Sequence, residues 1–541
     1  MTRKPFGIRF GSVASLVRNA RRLTGDTRGS VAIIAAVTTV AFMVAGGTAV
    51  DFARASRQRQ VLNSAVDSAA LALATSKITD VAVLKEMGEK YVQSNLASLS
   101  NYDGGPVTLD INVYTDTVTI SAHQQMPTTL MKLAHINEMD LTVYSEARRV
   151  TQNAEVVLVL DNTGSMTTNN KIGALKTATE DLTDILFADS SVSTHIKMAI
   201  VPFAASVNVG TQYATASWMD TNGSNAISKL NFTDTTKHNK WAWGQLNSTP
   251  WNGCVEQRKA TSTINYDVDD TTPATSSPDT LFPFYFAPDE PTNANNASSL
   301  TGWGTFNNNY LTDWRANESV SNSTKNSTSL DNRQRRYQKY VSTSPSGSGK
   351  GPGYNCGTAA ITPLTNVKST IINAIDDMVA TGNTNIASGV GWGIRVLSST
   401  VPFTEGAAYN DKKWRKIMVV MTDGENDWGN VSNMNKTGYG GYGYSSQSQT
   451  RLNINNVTNS RTTLDTRTAK ACAMAKAAST NPAQPIVVYS ITFGSLDTQA
   501  KNLLQACASD SEKYFHAPDN ATLVEAFTTI ATEITQVYLA K

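Results

Sequence analysis

Three oxygen-bearing side chains follow one apolar segment of the chain at a spacing suited to metal binding. Residues 156–160 (VVLVL) are followed by Asp161, Thr163 and Ser165. Such an apolar run predicts a strand buried on both faces of a parallel sheet, and open α/β sheets bind ligands at the carboxyl ends of their strands. A turn leaving the strand can aim one carboxylate and two hydroxyls at a single point, which suits hard cations such as Mg²⁺. The alternative is plain turn chemistry, because Asp, Thr and Ser are common turn residues.

Two later residues extend this pattern. Thr384 stands just before a predicted helix, and Asp423 follows the apolar run at residues 416–421 (KIMVVM). Their order and placement resemble the metal-ion-dependent adhesion site of the von Willebrand factor A family, whose pattern is D-x-S-x-S, then a Thr, then an Asp. The chain departs from this pattern by Thr163 in place of Ser, which keeps the hydroxyl.

The resemblance implies a metal site with few directly bound carboxylates. A cation held in this way stays electron-poor, so it still attracts an acidic side chain from a partner. By the resemblance, three residues contribute hydroxyls and two contribute carboxylates, bound directly or through water: Thr163, Ser165 and Thr384, and Asp161 and Asp423. Mg²⁺ is the cofactor that this implies, with Mn²⁺ and Ca²⁺ as alternatives.

The sequence offers little support for catalysis or for nucleic-acid binding. Its five histidines form no HExxH motif and no pair at helical spacing, and no G-x-S-x-G elbow is present to expose a nucleophile. We therefore expect that the chain is not an enzyme, with a hydrolase as the rival. A formal net charge of +2 does not provide the basic footprint that nucleic acid requires, so we expect no nucleic-acid partner.

The elements that must position the candidate site alternate between strand and helix. Apolar strand signals at residues 156–160, 196–203, 416–421 and 486–492 are separated by helical periodicity. This alternation predicts a doubly wound, Rossmann-like α/β domain over residues 151–541, of the von Willebrand factor A type by the resemblance.

Two large insertions are expected within this domain, at about residues 208–360 and 425–461. The first has thirteen Ile, Leu and Val in 153 residues but six of the nine Trp, so it cannot build an aliphatic core. We expect an irregular, partly ordered segment there, because long structureless loops are uncommon inside domains. The second contains GYGGYGYSSQSQ, a composition typical of a flexible segment.

The N-terminal part predicts a membrane anchor. Residues 31–50 are twenty uncharged residues, which at ~1.5 Å per residue can span a hydrocarbon layer of ~30 Å as a transmembrane helix. Seven basic residues and one acid precede them, and the positive-inside rule then places residues 1–30 in the cytoplasm. A cleaved signal peptide is the alternative, but its apolar region is usually ~7 to 15 residues long, so a retained anchor is favoured.

Residues 51–150 are expected to form a small α+β stalk. Helical periodicity covers residues 51–77 and 81–96, and a period of two follows at residues 107–113, 118–120 and 141–143. The arrangement resembles a pilin head on its long helix in architecture only, because no prepilin processing site is present.

The four cysteines all follow the anchor. In an oxidising compartment an even number suggests disulfides, and four cysteines allow three connectivities. We favour Cys254 with Cys356 and Cys472 with Cys507, because each pair lies within one region; four free thiols are the alternative.

The order of motifs along nearly the whole chain resembles one family. A basic start, an anchor followed by Asp51, an Ala-rich helix (SAVDSAALALA), DNTGSM, WNGC, TDGEN and a closing CASDSEKYFHAPDNATLVEAFTTIATEI are similar to TadG-like proteins of bacterial tight-adherence (Tad) pilus systems. The resemblance implies a membrane-anchored, metal-dependent adhesion or assembly component of Flp-type pili that binds an envelope or pilus-assembly protein. It implies a single-pass protein of the bacterial inner membrane whose bulk is periplasmic or extracellular. The alternative is a structural envelope protein whose metal only stabilises the fold.

Overall fold

The structure is a computed structural model, and it divides the chain into two compact units. It describes residues 29–76, 78, 80–97, 105–114, 117–148, 153–292, 304–315, 318–325, 329–445, 451–452, 459–477 and 485–539. The first unit runs to Val150 and includes Leu539–Lys541, and the second is Thr151–Tyr538. The basic residues of the expected cytoplasmic segment, at positions 1–28, lie outside the described residues.

The first unit combines two helices with a three-stranded sheet. Its elements are α1 (Gly29–Ala74), α2 (Val81–Ala97), β1 (Val107–Val113), β2 (Thr117–Pro127) and β3 (Glu138–Arg148). The strands pair antiparallel in the order β1-β2-β3. Leu62, Val66 and Leu73 of α1 are buried in one apolar cluster with Ile120 of β2 and Val143 of β3, so the apolar stripe of α1 holds this sheet.

Helix α1 contains the expected anchor and continues past it without a break. Among the described residues, one helix, Ala32–Ala74, is long and apolar enough to cross a membrane by its length and composition. Large apolar side chains within residues 31–50 are exposed, among them Ile33, Val37 and Phe42. An apolar helix segment that the protein does not cover is typical of a membrane span.

The second unit is built on one mixed sheet. Its strands are β4 (Asn153–Asp161), β5 (Ile196–Phe203), β6 (Val207–Asn208), β7 (Cys254–Val255), β8 (Thr362–Thr365), β9 (Trp414–Thr422), β10 (Val487–Phe493) and β11 (Tyr514–Ala517). Among the described residues the sheet order is β11-β10-β9-β4-β5-β6-β7, with β8 also paired to β5. The strands from β11 to β5 are parallel, and the short strands β6, β7 and β8 pair antiparallel.

Helices cover both faces of this sheet. The helices of the second unit, among its described residues, are α3 (Lys171–Phe187), α4 (Asn239–Gln245), α5 (Asn322–Lys325), α6 (Leu330–Arg333), α7 (Lys368–Asp376), α8 (Ile386–Leu397), α9 (Ser460–Ala477), α10 (Thr498–Cys507) and α11 (Asn520–Leu539). Along β4, Val157 and Val159 belong to the apolar cluster that includes α8, whereas Leu158 and Leu160 belong to the cluster that includes α3 and α11. The doubly wound α/β fold expected from the sequence is therefore confirmed.

The first insertion covers helix α8 with aromatic side chains. Every residue of α8 is buried, because the helix lies between the sheet and the insertion. The ring centroids of Phe282 and Trp392 are 4.7 Å apart, and those of Trp218 and Trp392 are 6.5 Å apart. Among its described residues the insertion has no aliphatic core of its own, and its aromatic rings join the main core instead.

The second insertion differs from the flexible segment that its composition predicts. Within residues 425–445, Trp428, Tyr439, Tyr442 and Tyr444 are all buried. The indole N–H of Trp428 donates to the carbonyl of Gly443 at 2.9 Å. The expectation of flexibility is wrong for this part, because the aromatic residues between the glycines pack into the protein; residues 446–450 and 453–458 lie outside the described residues.

Both disulfides join cysteines within one region of the second unit. Cys254 of β7 is bonded to Cys356 near the end of the first insertion, with the Cα atoms 6.0 Å apart. Cys472 of α9 is bonded to Cys507 at the end of α10, with the Cα atoms 5.0 Å apart. This is the pairing that the sequence favours, and the first bond joins β7 to the C-terminal end of the insertion.

Candidate metal centre

The two carboxylates of the candidate site stand at the ends of neighbouring parallel strands. Asp161 is the last residue of β4, and Asp423 follows Thr422, the last residue of β9. The register aligns Leu160 with Met421, so the two strands end at the same level. The chain leaves β4 toward β5 on one side and returns through β9 on the other, and ligands bind at such a switch point in open α/β sheets.

A chain of short hydrogen bonds connects four of the five predicted ligand residues. The backbone N–H of Thr163 donates to Oδ1 of Asp161 at 2.8 Å. The hydroxyls of Thr163 and Ser165 are 2.9 Å apart, and the Ser165 hydroxyl donates to Oδ1 of Asp423 at 2.6 Å. The turn after β4 therefore aims its hydroxyls at the carboxylate that follows β9.

Thr384 reaches the same cluster on a separate loop. The carbonyl of Gly382 accepts from the N–H of Gly164 at 2.9 Å, and Gly382 has φ +75°, a backbone conformation that glycine adopts without strain. A Cβ built on Gly424 would lie 3.9 Å from the Thr384 hydroxyl and 3.7 Å from the Ser165 hydroxyl. Both hydroxyls thus face the turn after β9, and the structure brings all five predicted residues together.

The electrostatics of the cluster are set by burial of two like charges. Burial, and then the nearby carboxylate of Asp423, raise the pKa of Asp161 to about 6, against hydrogen bonds from Thr163 and Thr422. Both carboxylates are almost fully buried. Desolvation and a like charge both disfavour ionisation of a carboxyl group, so the metal-free site holds its negative charge at a free-energy cost.

Two contributors to the site were not predicted from the sequence. The Thr422 hydroxyl donates to Oδ2 of Asp161 at 2.5 Å, and Nζ of Lys171 lies 2.7 Å from Oδ2 of Asp423. Lys171 begins α3 and is partly exposed at the rim. Thr422 could have been found from its place beside Asp423 at the end of an apolar strand, whereas Lys171 carries no signal of its own, because its contact depends on how α3 packs.

The donor set fits a hard divalent cation. It contains carboxylate and hydroxyl oxygens and no nitrogen or sulfur ligand, which matches Mg²⁺ and related ions. Within the part of the chain that the structure describes, no group of three or more His, Cys, Asp or Glu could hold a metal ion. A cation at this place would therefore depend on the hydroxyls of Thr163, Ser165 and Thr384 beside the two carboxylates.

The N-terminal segment of the chain matches a known protein family. Residues 29–75 match the Tad family model, described as putative Flp pilus-assembly TadE/G-like. The match covers the whole of α1, including the candidate membrane span and Asp51. The resemblance to Tad pilus proteins expected from the sequence is therefore confirmed for this segment. No curated protein matches the chain by sequence.

Solved structures similar to the chain include pilus adhesins and von Willebrand factor A domains, all distant. The pilus adhesin SpaC from Lactobacillus rhamnosus GG has 10% identity and a TM-score of 0.31, with 81% of this chain and 35% of SpaC covered. The vWF domain of the type V pili tip protein Mfa5 from Porphyromonas gingivalis has 10% identity and a TM-score of 0.33, with 71% and 96% covered. A von Willebrand factor type A protein from Catenulispora acidiphila has 10% identity and a TM-score of 0.26, with 80% and 50% covered. Similarities this distant support no assignment of function.

Proposed function

We propose that the chain is a membrane-anchored component of a tight-adherence pilus system that binds a protein partner through a divalent cation. The Tad match of residues 29–75 supports the pilus association, and the exposed apolar part of α1 supports the anchor. The observation that carries the cation proposal is the convergence of two buried carboxylates and three hydroxyls at the mouth of β4 and β9.

The five residues would hold the cation, which would offer an open coordination position to an acidic side chain of the partner. The chain's own residues prepare this position. The Thr163 N–H fixes one oxygen of Asp161, and the Thr422 hydroxyl fixes the other. The Ser165 hydroxyl orients Asp423. Because the ligands are ordered before binding, little conformational entropy is lost when a cation enters.

A structural role for the cluster is the second candidate, and Lys171 is the observation that favours it. Its ammonium group already pairs with Asp423 at 2.7 Å, so part of the negative charge is balanced without a metal. If this pair were sufficient, the cluster would only join the loops after β4 and β9. The two candidates differ in whether a divalent cation changes the stability of the protein and its capture of a partner.

Thermal unfolding of the full chain in detergent, titrated with Mg²⁺ or Mn²⁺, tests the proposal. A cation at ~100 times its Kd stabilises the folded protein by about 2.7 kcal/mol, so the melting temperature should rise and EDTA should reverse the rise. Asp423→Asn should abolish it. Asp427→Asn is the matched control, because Asp427 is an exposed carboxylate four residues further along the same loop and should leave the rise unchanged.

Partner capture provides the second readout. The parent and the Asp427→Asn variant should retain envelope proteins in the presence of Mg²⁺ and release them with EDTA, whereas Asp423→Asn should not retain them. If Asp423→Asn responds to cation and captures partners as the parent does, the adhesion-site proposal is wrong and the structural role replaces it.

A further inference from the structure

The connection between β2 and β3 exposes three large apolar side chains. This segment, residues 128–137 (TTLMKLAHIN), is called here the β2–β3 tip, and it contains a short 3-10 helix, Met131–Ala134. Leu130 is 39% exposed, Leu133 64% and Ile136 43%. Loops between antiparallel strands normally present polar residues to water, and clustered exposed apolar side chains mark a contact surface.

Asp51 of α1 holds this tip in place. Its buried carboxylate accepts hydrogen bonds from the backbone N–H groups of Thr129, Leu130 and Met131, at 3.0, 2.7 and 2.8 Å to Oδ2. Donation from Met131 is the largest of the effects that lower the pKa of Asp51. The tip is therefore tied to the helix residue that directly follows the expected anchor at residues 31–50.

The contact extends into the expected anchor itself. A Cβ built on Gly47 would lie only 2.5 Å from the Cβ of Leu130, so glycine is what allows the tip to approach the helix there. Gly47 lies three residues before Val50, which at ~1.5 Å per residue is about 4.5 Å inside the end of the span. On the same stretch of α1, Met43 is 54% exposed and Val50 51%. The exposed apolar surface of the tip thus continues that of the helix.

Several backbone N–H groups of the tip have hydrogen-bond partners within the protein, as a medium with little water requires. Besides the three N–H groups bound by Asp51, those of Leu133, His135 and Ile136 donate to carbonyls of the tip itself at 3.0 to 3.1 Å. Irregular backbone enters a membrane only where its polar groups have partners. Lys132 is exposed in the same turn, and a lysine at this level can extend its ammonium group toward lipid phosphates.

We propose that the β2–β3 tip is a second membrane contact, which inserts Leu130, Leu133 and Ile136 into the interface of the bilayer that α1 spans. The proposal rests on the membrane anchoring stated above. A phospholipid surface is the occupant that the continuity with α1 favours. With two points of attachment, the first unit is fixed in height and in rotation about the axis of α1, which a single helix would leave free.

Depth-dependent fluorescence quenching of the full chain in phosphatidylcholine–phosphatidylglycerol vesicles tests this contact. All four native cysteines are in disulfides, so an added cysteine is the single thiol that an NBD label can modify. The label is placed by Leu133→Cys at the tip, by Met43→Cys in the span, and by Tyr144→Cys as the control. Tyr144 is a 55% exposed residue of β3, six residues beyond Glu138 and thus about 20 Å along the strand.

Lipids that carry a spin label at the headgroup end of the acyl chain should quench NBD at position 133 at least threefold more than NBD at position 144. Lipids with the spin label near the chain end should quench position 43 more than position 133. Quenching at position 43 without quenching at position 133 would overturn the tip contact and leave the anchor standing. Absence of quenching at both positions would refute the anchor as well. A label at 133 that is shielded from iodide but not quenched by lipid would show that protein covers the tip, which also overturns the proposal.

Discussion

Two buried carboxylates in the second unit, Asp289 of the first insertion and Asp161 of the candidate site, have the same raised pKa but stand beside opposite charges. Burial raises the pKa of each to about 6. Next to Asp289 stands the buried ammonium group of Lys339, 2.8 Å away, which opposes the shift. Next to Asp161 stands a second carboxylate, Asp423, which adds to the shift.

The difference lies in the source of the compensating charge. The cation beside Asp289 is a side chain of the chain itself, whereas the proposal assigns a bound divalent cation to Asp161. Asp289 also accepts hydrogen bonds from the N–H groups of Tyr310 and Leu311 at 2.6 and 2.7 Å, so its cation and its donors both belong to the chain. For Asp161, the described residues supply hydrogen-bond donors but no ion-pair partner. Buried charges in proteins are paired or coordinate metals, and this contrast supports a cation at Asp161 rather than at Asp289.

Breaking the ion pair between Lys339 and Asp289 should give the largest loss of stability. Lys339→Met leaves Asp289 buried without its cation, and removal of one partner of a buried pair destabilises a protein by about 3 to 5 kcal/mol. The melting temperature should fall with and without Mg²⁺, because the pair is unrelated to the cation. Lys350→Met, at an exposed lysine of the same insertion, should leave it nearly unchanged. Unaltered stability of Lys339→Met would remove the contrast between the two carboxylates.

The pH dependence of cation binding is the next effect in size. Without a cation, the folded protein holds a proton on Asp161 up to pH about 6, whereas the unfolded chain releases it near pH 4. The folded form therefore binds more protons in this window, and the contribution of Asp161 to stability falls as pH rises through it. A cation requires the ionised carboxylate, so the stabilisation that it adds should be full above pH 6 and decline below.

The measurement is the difference in melting temperature with and without Mg²⁺ at each pH. Burial also raises the pKa of Asp289 to about 6 and that of Glu256 to about 7, but these groups cancel in this difference because they titrate in both samples. One pH unit below 6, the apparent affinity should be about tenfold weaker, or ~1.4 kcal/mol. A metal-induced rise that is constant from pH 5 to pH 7 would argue against Asp161 as a ligand.

Lys171 should oppose the cation by a smaller amount. Its Nζ pairs with Oδ2 of Asp423, and the lysine is partly exposed, so solvent screens its charge. Lys171→Met should lower the melting temperature without cation, since Asp423 loses its partner, and should tighten Mg²⁺ binding about fivefold, or ~1 kcal/mol. Lys470→Met, at an exposed position of α9, should change neither quantity. Weaker Mg²⁺ binding by Lys171→Met would mean that the lysine supports the site instead.

The elements that carry the site could be predicted because their residues show regular periodicity. The strand at residues 156–160 is buried on both faces, and its uninterrupted apolar run predicts this burial. The short strands β6, β7 and β8 carry no such signal. Strands β6 and β7 have only two residues each, Val207–Asn208 and Cys254–Val255, which is too short to show a strand periodicity. Their pairing depends on how the insertion folds back over α8.

The family resemblance is what predicted that the five candidate residues would come together in the fold. The sequence shows that these residues lie at or just after the end of a strand, or just before a helix: Asp161, Thr163, Ser165, Thr384 and Asp423. The ionic partner of Asp423 and the burial of Tyr439 and Tyr442 depend on tertiary packing between segments far apart in the chain. A Gly- and Tyr-rich run has the composition of a flexible loop. Its local sequence does not show whether the tyrosine rings will be buried or exposed.

The smallest effect is expected at Thr163, where the chain departs from the family pattern. Thr163→Ser retains the hydroxyl 2.9 Å from Ser165 and the N–H that binds Asp161. It removes one buried methyl group, which should cost about 0.8 kcal/mol of stability with or without a cation, and Mg²⁺ affinity should stay within about twofold. Thr163→Val keeps the shape and loses the oxygen, and an interaction with a charged group lost in this way should weaken Mg²⁺ binding about tenfold. Calorimetric titration of both variants with Mg²⁺ separates the two substitutions. If valine binds the cation as tightly as serine does, the hydroxyl of Thr163 orders the turn after β4 and is not a ligand, so the cation would rest on the remaining four residues.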